Sequence, residues 1–213
     1  MIGGVAWSTV GELLLRHIYL AGLPLLLGLL ISLPLGWLAT RYRWLAPPMI
    51  AGTGLLYTIP SLALFIMLPL LLGTTIISDT NVLVAMTIYA VALLTRTVAD
   101  ALASVPSSVR QAATAMGYGE LRRTLAVDLP LAVPVITAGL RVAAVSNVSI
   151  VSVAALIGVS QLGQLFTDGF NRNVMGPIMV GIGACVVLAL ALDALIALAS
   201  RVLTPWQRSE ASR

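Results

Sequence analysis

Five apolar runs, at about 17–39, 49–72, 82–99, 131–157 and 177–199, dominate this chain, and most charged residues fall between them. Each run is near the ~20 residues that a helix needs to cross a hydrocarbon layer of about 30 Å. A helix also satisfies its own backbone N–H and C=O groups where no water can do so. The expectation is an all-α integral membrane bundle of about five transmembrane helices, read as a single transmembrane domain over residues 1–213. Composition agrees: 9% of residues are charged and 59% hydrophobic, against roughly 25% charged in soluble domains. Pro24 and Pro34 interrupt the first run, which is tolerable where neighbouring helices satisfy the freed carbonyls. The second run follows Pro47-Pro48 and breaks at Thr58-Ile59-Pro60-Ser61 and again near Pro69. One kinked span or two half-spans fit it, and one is favoured because so short a run cannot cross twice.

The charges report topology. All 12 basic residues are arginine. With five spans, Arg41, Arg43, Arg110, Arg122, Arg123, Arg201, Arg208 and Arg213 share one side. Only Arg16 and Arg172 lie on the other, while Arg96 and Arg141 fall inside spans. That bias follows the positive-inside rule and predicts an outside N-terminus and a cytoplasmic C-terminus. Because the arginines are scattered along span ends rather than clustered, a nucleic-acid partner is not expected. Residues 1–16 carry Glu12 and lead into a full span, so no cleavable signal peptide is expected. The single cysteine, Cys185, lies in an apolar run and reads as a small buried hydrophobe.

The longest stretch free of a membrane-length run is 106–130, between the third and fourth spans. Pro106 suits a first helical turn, with Ser104, Ser107 or Ser108 as candidate caps. Val109, Ala112, Ala113 and Met116 then recur at i, i+3, i+4 and i+7, one apolar face of a helix. Gly117 and Gly119 bracket Tyr118, where a left-handed C-cap and a sharp turn fit. A second short helix is expected from Glu120 to about Val127, ending before Pro130. The result is a small helix–turn–helix on the arginine-rich side.

Gln111-Ala112-Ala113, three residues, Gly117, nine residues, then Val127-Asp128-Leu129-Pro130 resembles the EAA loop of permease subunits in ATP-binding-cassette importers. The family pattern is Glu-Ala-Ala, three residues, Gly, nine residues, Ile-x-Leu-Pro; here Gln111 replaces the Glu and Val127 the Ile. The resemblance implies a type I importer permease fold and a hairpin, about 106–130, that docks on a separate ATPase. Arg110, Gln111, Ala112, Ala113, Met116, Gly117, Tyr118, Leu129 and Pro130 are the coupling residues it implies. Tyr57 to Leu64 is similar to the Thr-(Ile/Val)-Pro-Ser-Leu-Ala stretch of osmoprotectant permeases, those for glycine betaine, choline and carnitine. Pro134 to Arg141 resembles their Pro-Val-Ile-x-Ala-Gly-(Ile/Leu)-Arg segment, and Leu203-Thr204-Pro205 also fits. Their outer Gly-x-Gly-Gly-Leu-Gly appears only as Gly158-Val159-Ser160-Gln161-Leu162-Gly163.

Four polar residues within the spans, Thr58, Ser61, Asn147 and Ser149, are candidates for a translocation route. At Thr58–Ser61 a helix break would free backbone carbonyls to face a water-lined path; the plainer alternative is a kink satisfied by the two hydroxyls. Around Asn147, Ser146, Ser149 and Ser152 give the fourth span a polar middle, which either lines a route or fastens helices together. A quaternary ammonium ordinarily calls for an aromatic cage; with 6% aromatics and none clustered in sequence, selectivity is expected in a separate binding protein. Arg141 and Asp193 sit at similar depth on consecutive spans, where an unpaired charge is costly. They are expected to pair; alternatively Arg141 lines the route or reaches for the cytoplasmic surface.

Catalysis has little to work with. The chain has one histidine, His17, and no set of ligands at metal spacing, so no metal or cofactor is expected. No Gly-rich phosphate loop precedes a lysine. The leading reading is a non-enzymatic permease subunit in the cell membrane, importing quaternary-ammonium osmoprotectants by alternating access. Its partners would be an ATPase dimer, a second permease chain, an extracytoplasmic substrate-binding protein and the lipid bilayer. The alternatives are a permease for an amino acid such as methionine, and a membrane scaffold without a transport role.

Overall fold

A computed structural model describes residues 4–206, so Arg208 and Arg213 lie outside the described residues. The first helix, α1 (Trp7–Arg41), begins well before the expected start at His17. Polar side chains such as Thr9 and Glu12 lower the hydropathy of its first turns without breaking the helix. At 1.5 Å per residue its 35 residues span about 52 Å, so these turns stand beyond a ~30 Å layer. Arg16 there pairs with Asp79 at 2.8 Å.

The second apolar run becomes two helices, α2 (Ala46–Thr58) and α3 (Ser61–Leu72), bent by 101°. The expected single kinked span is therefore a broken one. Ile59 and Pro60 are extended (φ −65°, ψ 129° and φ −61°, ψ 132°), since the residue before proline resists the α region. α2 starts beside the end of α1, and α3 stops at Gly73 (φ +66°), shortly before the Arg16–Asp79 pair at the opposite end. Together the two half-helices cross the bundle once. None of the residues of α2 is buried.

Next, α4 (Asp79–Ala103) is capped by Ser78, whose side chain accepts from Thr80 N. α1 and α4 pack along much of their length because small residues let the backbones approach. Gly28 lies against Ala90, and a Cβ on Gly36 would sit 2.6 Å from Val98 Cγ1. The short helices α5 (Ser107–Ala115) and α6 (Glu120–Arg123) follow, then α7 (Leu129–Val153), α8 (Gln164–Asn171) and α9 (Met175–Leu203). Gly139 of α7 nests on Thr97 of α4. The core has three sections: Leu20, Phe65, Met86 and Val148 at one end, Leu25, Leu94 and Ala144 in the middle, Val98, Leu102 and Ile136 at the other. Outside this core, large apolar side chains such as Leu30, Leu70, Val187 and Leu195 are exposed, as lipid contact requires. Among the described residues four single helices are long and apolar enough to cross a membrane, and the bent pair, taken as one span, makes a fifth.

The segment 158–176, between the fourth and fifth apolar runs, folds inward. Val159, Gln161, Leu162 and Leu165 are all buried. His17, at the start of the first apolar run, is fully buried beneath it.

Candidate functional site

The hairpin between α4 and α7 is built around one left-handed residue. α5 is followed by its C-cap, Met116, and Gly117 takes φ +84°. Gly117 N donates to Thr114 O at 3.0 Å and Tyr118 N to Ala113 O at 3.1 Å, the paired bonds of a Schellman cap. Gly119 is extended instead (φ −64°, ψ 160°), so only one of the two glycines needs its freedom. The serine caps are not used. Pro106 itself is the N-cap and no side chain caps the helix, while Ser104 Oγ turns back to Ala101 O at 2.7 Å.

The second limb does not stop before Pro130. α6 runs into a π turn, Thr124–Asp128, and directly into α7. Leu129 stays helical (φ −65°, ψ −48°) and its N–H reaches Thr124 O. Pro130, which has no N–H to donate, falls at the start of α7 immediately after this wider turn. The hairpin is thus welded to α7 through its second limb.

The coupling candidates separate into three groups. Gln111 and Ala112 are exposed, as are Met116 and Gly117 at the turn; Met116 is 70% exposed. Ala113 is buried inside the hairpin, so the apolar stripe does not pack as a single face. Tyr118 lies under the Arg122 guanidinium, 4.8 Å from ring centre to Cζ. Leu129 and Pro130 are half-buried, with Leu129 packed against the Val98–Leu102 core; they anchor the hairpin rather than form its tip. Arg110 turns inward, its guanidinium donating to Leu102 O and facing Asp128.

A cavity of about 220 Å³ lies at the hairpin root, lined by Trp37, Arg41, Arg110, Arg123, Thr124 and Asp128 among others. Arg41 pairs with Glu120 at 2.8 Å, and Trp37 Nε1 donates to Thr124 Oγ1 at 3.2 Å. Both contacts tie the second limb to α1.

The route candidates differ in exposure: three keep some surface and Asn147 does not. Thr58 is exposed and its hydroxyl donates to Leu55 O at 2.7 Å. The carbonyl freed at the break, Ile59 O, accepts from the Tyr89 hydroxyl. Tyr57 meets Tyr89 edge-on at 5.8 Å, so two aromatics separated in sequence do cluster here. Ser61 is half-buried and Ser149 exposed. Asn147 is buried, donating to Ala21 O at 3.1 Å; in this structure it fastens α7 to α1 instead of facing a path. Arg141 and Asp193 are brought together: Nε to Oδ1 at 2.6 Å and Nη2 to Oδ2 at 2.7 Å. This pair borders an open hollow with Ala138, Val142, Val145 and Ser146.

Sequence reasoning missed the polar knot at the far end. Gln161 Nε2 donates to Val151 O at 3.0 Å and Ser152 O at 3.1 Å. Its Oε1 accepts from Gly163 N and faces His17 Nδ1 at 3.0 Å. His17 Nε2 faces Val148 O at 3.0 Å. One side chain thereby joins α1, the end of α7 and the following loop. The available signal was Gln161 standing where the resembling segment has glycine.

The chain matches the family described as binding-protein-dependent transport system inner membrane component over residues 28–209. It is 36% identical over 202 residues to the osmoprotectant import permease protein OsmW of Salmonella typhimurium, with 92% of each chain covered. It is 28% identical over 196 residues to the glycine betaine/carnitine/choline transport system permease protein OpuCD of Bacillus subtilis, covering 92% of this chain and 84% of that one. Among solved structures, an inward-facing MetNI methionine ABC transporter superposes with a TM-score of 0.75 at 22% identity, over 92% of this chain and 95% of that one. An amino acid ABC transporter does so with a TM-score of 0.75 at 17% identity, over 91% and 94%. At these identities the structures speak for the fold alone, that of type I importer permeases. The sequence match, spanning most of the chain, carries the assignment: this protein belongs to the binding-protein-dependent transport system inner membrane components.

Proposed function

We propose that this chain is the permease subunit of an ATP-driven importer of quaternary-ammonium osmoprotectants. The observation that carries the reading is the hairpin. A left-handed glycine presents exposed Met116 beyond the ends of α4 and α7, at the end of the bundle that also holds Arg41, Arg43, Arg122 and Arg123. The relatives named above, alike over nearly the full length, supply the substrate class. ATP-driven closure of a separate ATPase dimer would move the docked hairpins of two permease chains, identical or similar, and rock the spans about a central path. A five-crossing chain cannot enclose such a path alone. Arginine placement supports an outside N-terminus with hairpin and C-terminus in the cytoplasm. An extracytoplasmic binding protein would supply selectivity, and Thr58, Ser61 and Ser149 are the polar groups we assign to the path. An amino-acid substrate has only low-identity structural likeness behind it.

The test is assembly. A Met116→Cys chain, co-expressed with its ATPase, should co-purify with that ATPase and cross-link to it through the introduced thiol. An ATPase that stays behind, or a cross-link that forms equally well from an exposed lipid-facing position such as Leu195→Cys, removes the coupling reading.

A further inference from the structure

The hairpin root holds one buried carboxylate between two arginines, and its contacts are incomplete. Asp128 is 5% exposed. Arg123 Nε lies 3.4 Å from Oδ2 and Arg110 Nε 3.7 Å from Oδ1. Among the described residues, neither Arg110 Nε nor Asp128 Oδ1 has a hydrogen-bond partner. Charge-assisted N–H···O bonds close to about 2.7–2.9 Å, so the Arg110 contact stands open by roughly 0.8 Å.

The two arginines come from opposite sides of the tip. Arg110 is on α5, the first limb; Arg123 ends α6, in the second. Asp128 is the last residue of the π turn, immediately before α7. The second limb is already fastened to α1 by Arg41–Glu120 and Trp37–Thr124. The first limb reaches the root through the open Arg110–Asp128 contact and through Thr114 Oγ1, which accepts from Arg123 Nη1 at 3.4 Å. A buried carboxylate strongly disfavours losing its partners, and an unpaired buried oxygen is costly in itself. A shift of α5 by less than ~1 Å toward α7 completes the bond, and a shift away isolates Oδ1. The π turn beneath it provides the looser backbone geometry on which such a movement can act.

We propose that Asp128 is a positioning residue for transport: a two-sided latch that converts displacement of the first hairpin limb into displacement of the root of α7. The inference rests on the coupling role proposed for the hairpin. It gives Arg110 an internal task, in place of the ATPase contact that its position in the motif implied.

The experiment uses full-length chain reconstituted with its ATPase and binding protein. Three quantities are read: ATPase bound per permease, ATP hydrolysed, and substrate imported per ATP. Asp128→Asn, which keeps shape and removes charge, should bind ATPase normally while importing at least fivefold less substrate per ATP. Asp128→Glu, which restores the charge, should recover at least half of the wild-type ratio. An unchanged ratio in Asp128→Asn overturns the latch. So does a loss of ATPase binding and import in equal proportion that Asp128→Glu fails to relieve, since that is the behaviour of a merely structural residue. Should Asp128→Asn not accumulate, Arg110→Gln keeps the Arg123 pair and must still lower the ratio; a wild-type ratio there overturns the proposal. Absence of ATPase from the wild-type preparation would remove the coupling reading first, and the latch with it.

Discussion

Gly117 is where a small backbone change should have the largest functional effect. Its φ of +84° is costly for any residue with a Cβ, by roughly 1–2 kcal/mol for an L-residue in the left-handed region, and more for a β-branched one. No atom lies within 4 Å of a Cβ built there, so the penalty comes from the backbone alone and not from a clash. At 1.4 kcal/mol per factor of ten, Gly117→Val should lower the ratio of turned-back to other tip conformations by about five- to thirtyfold. The two bonds at stake are Gly117 N to Thr114 O and Tyr118 N to Ala113 O; without them α5 would extend and Met116 would point elsewhere. Asparagine tolerates this region better than alanine or valine, so a graded series isolates φ as the cause. Imported substrate per ATP, in vesicles with matched permease content, should fall in the order Gly, Asn, Ala, Val. Membrane insertion should be equal throughout, since a Cβ at Gly117 meets no other atom within 4 Å. If Val imports as well as Gly, or if Asn is no better than Val, the left-handed tip is not what couples.

Three further outcomes follow from the packing. Arg141→Asp and Asp193→Arg should each impair accumulation of the chain, and the double exchange should restore it; a double variant as poor as either single one refutes the pair. Gly36→Val should lower stability in detergent by about 1–3 kcal/mol, as overpacking does, because its Cβ would lie 2.6 Å from Val98 Cγ1 and 2.9 Å from Ala99 N. Gly52→Ala, with nothing within 4 Å, is the control; equal melting temperatures for the two contradict the close α1–α4 contact. Gln161→Leu strands buried partners on α1, α7 and the loop, so denaturation should come earlier by about 1–3 kcal/mol for each group left unpaired. A variant as stable as wild type would show that the knot contributes nothing net.

Much of the architecture was readable because hydropathy and chain length constrain a membrane chain so tightly. The five crossings and the hairpin between the third and fourth came from apolar runs, arginine placement and one spaced motif. The left-handed turn followed from glycine chemistry, which depends only on φ. What sequence missed was decided by tertiary contact. Whether Pro130 ended a helix depended on a π turn that period-3.6 reasoning does not contain. Sequence leaves Asn147 open between lining a route and fastening helices, because its polarity is visible but its partner, Ala21 O on α1, is not. Arg110 belonged to the docking motif by position, yet its side chain turned inward to Asp128, distant by number but adjacent across the turn. The break at Thr58–Ser61 leaves two readings in sequence, carbonyls open to a path or a kink satisfied by hydroxyls; that Tyr89 satisfies Ile59 O depends on the break meeting α4. Gln161 and His17, far apart in sequence, had no local pattern to announce that they meet.

The central claim is that ATP hydrolysis by a partner drives a quaternary-ammonium compound through a path built from this chain. It is tested most directly in proteoliposomes holding the chain and its ATPase, with ATP inside and the binding protein with radiolabelled glycine betaine outside. The account predicts ATP-dependent accumulation against a gradient, suppressed by excess unlabelled choline or carnitine and unaffected by methionine. Accumulation that ignores ATP, or that methionine but not choline suppresses, would contradict it.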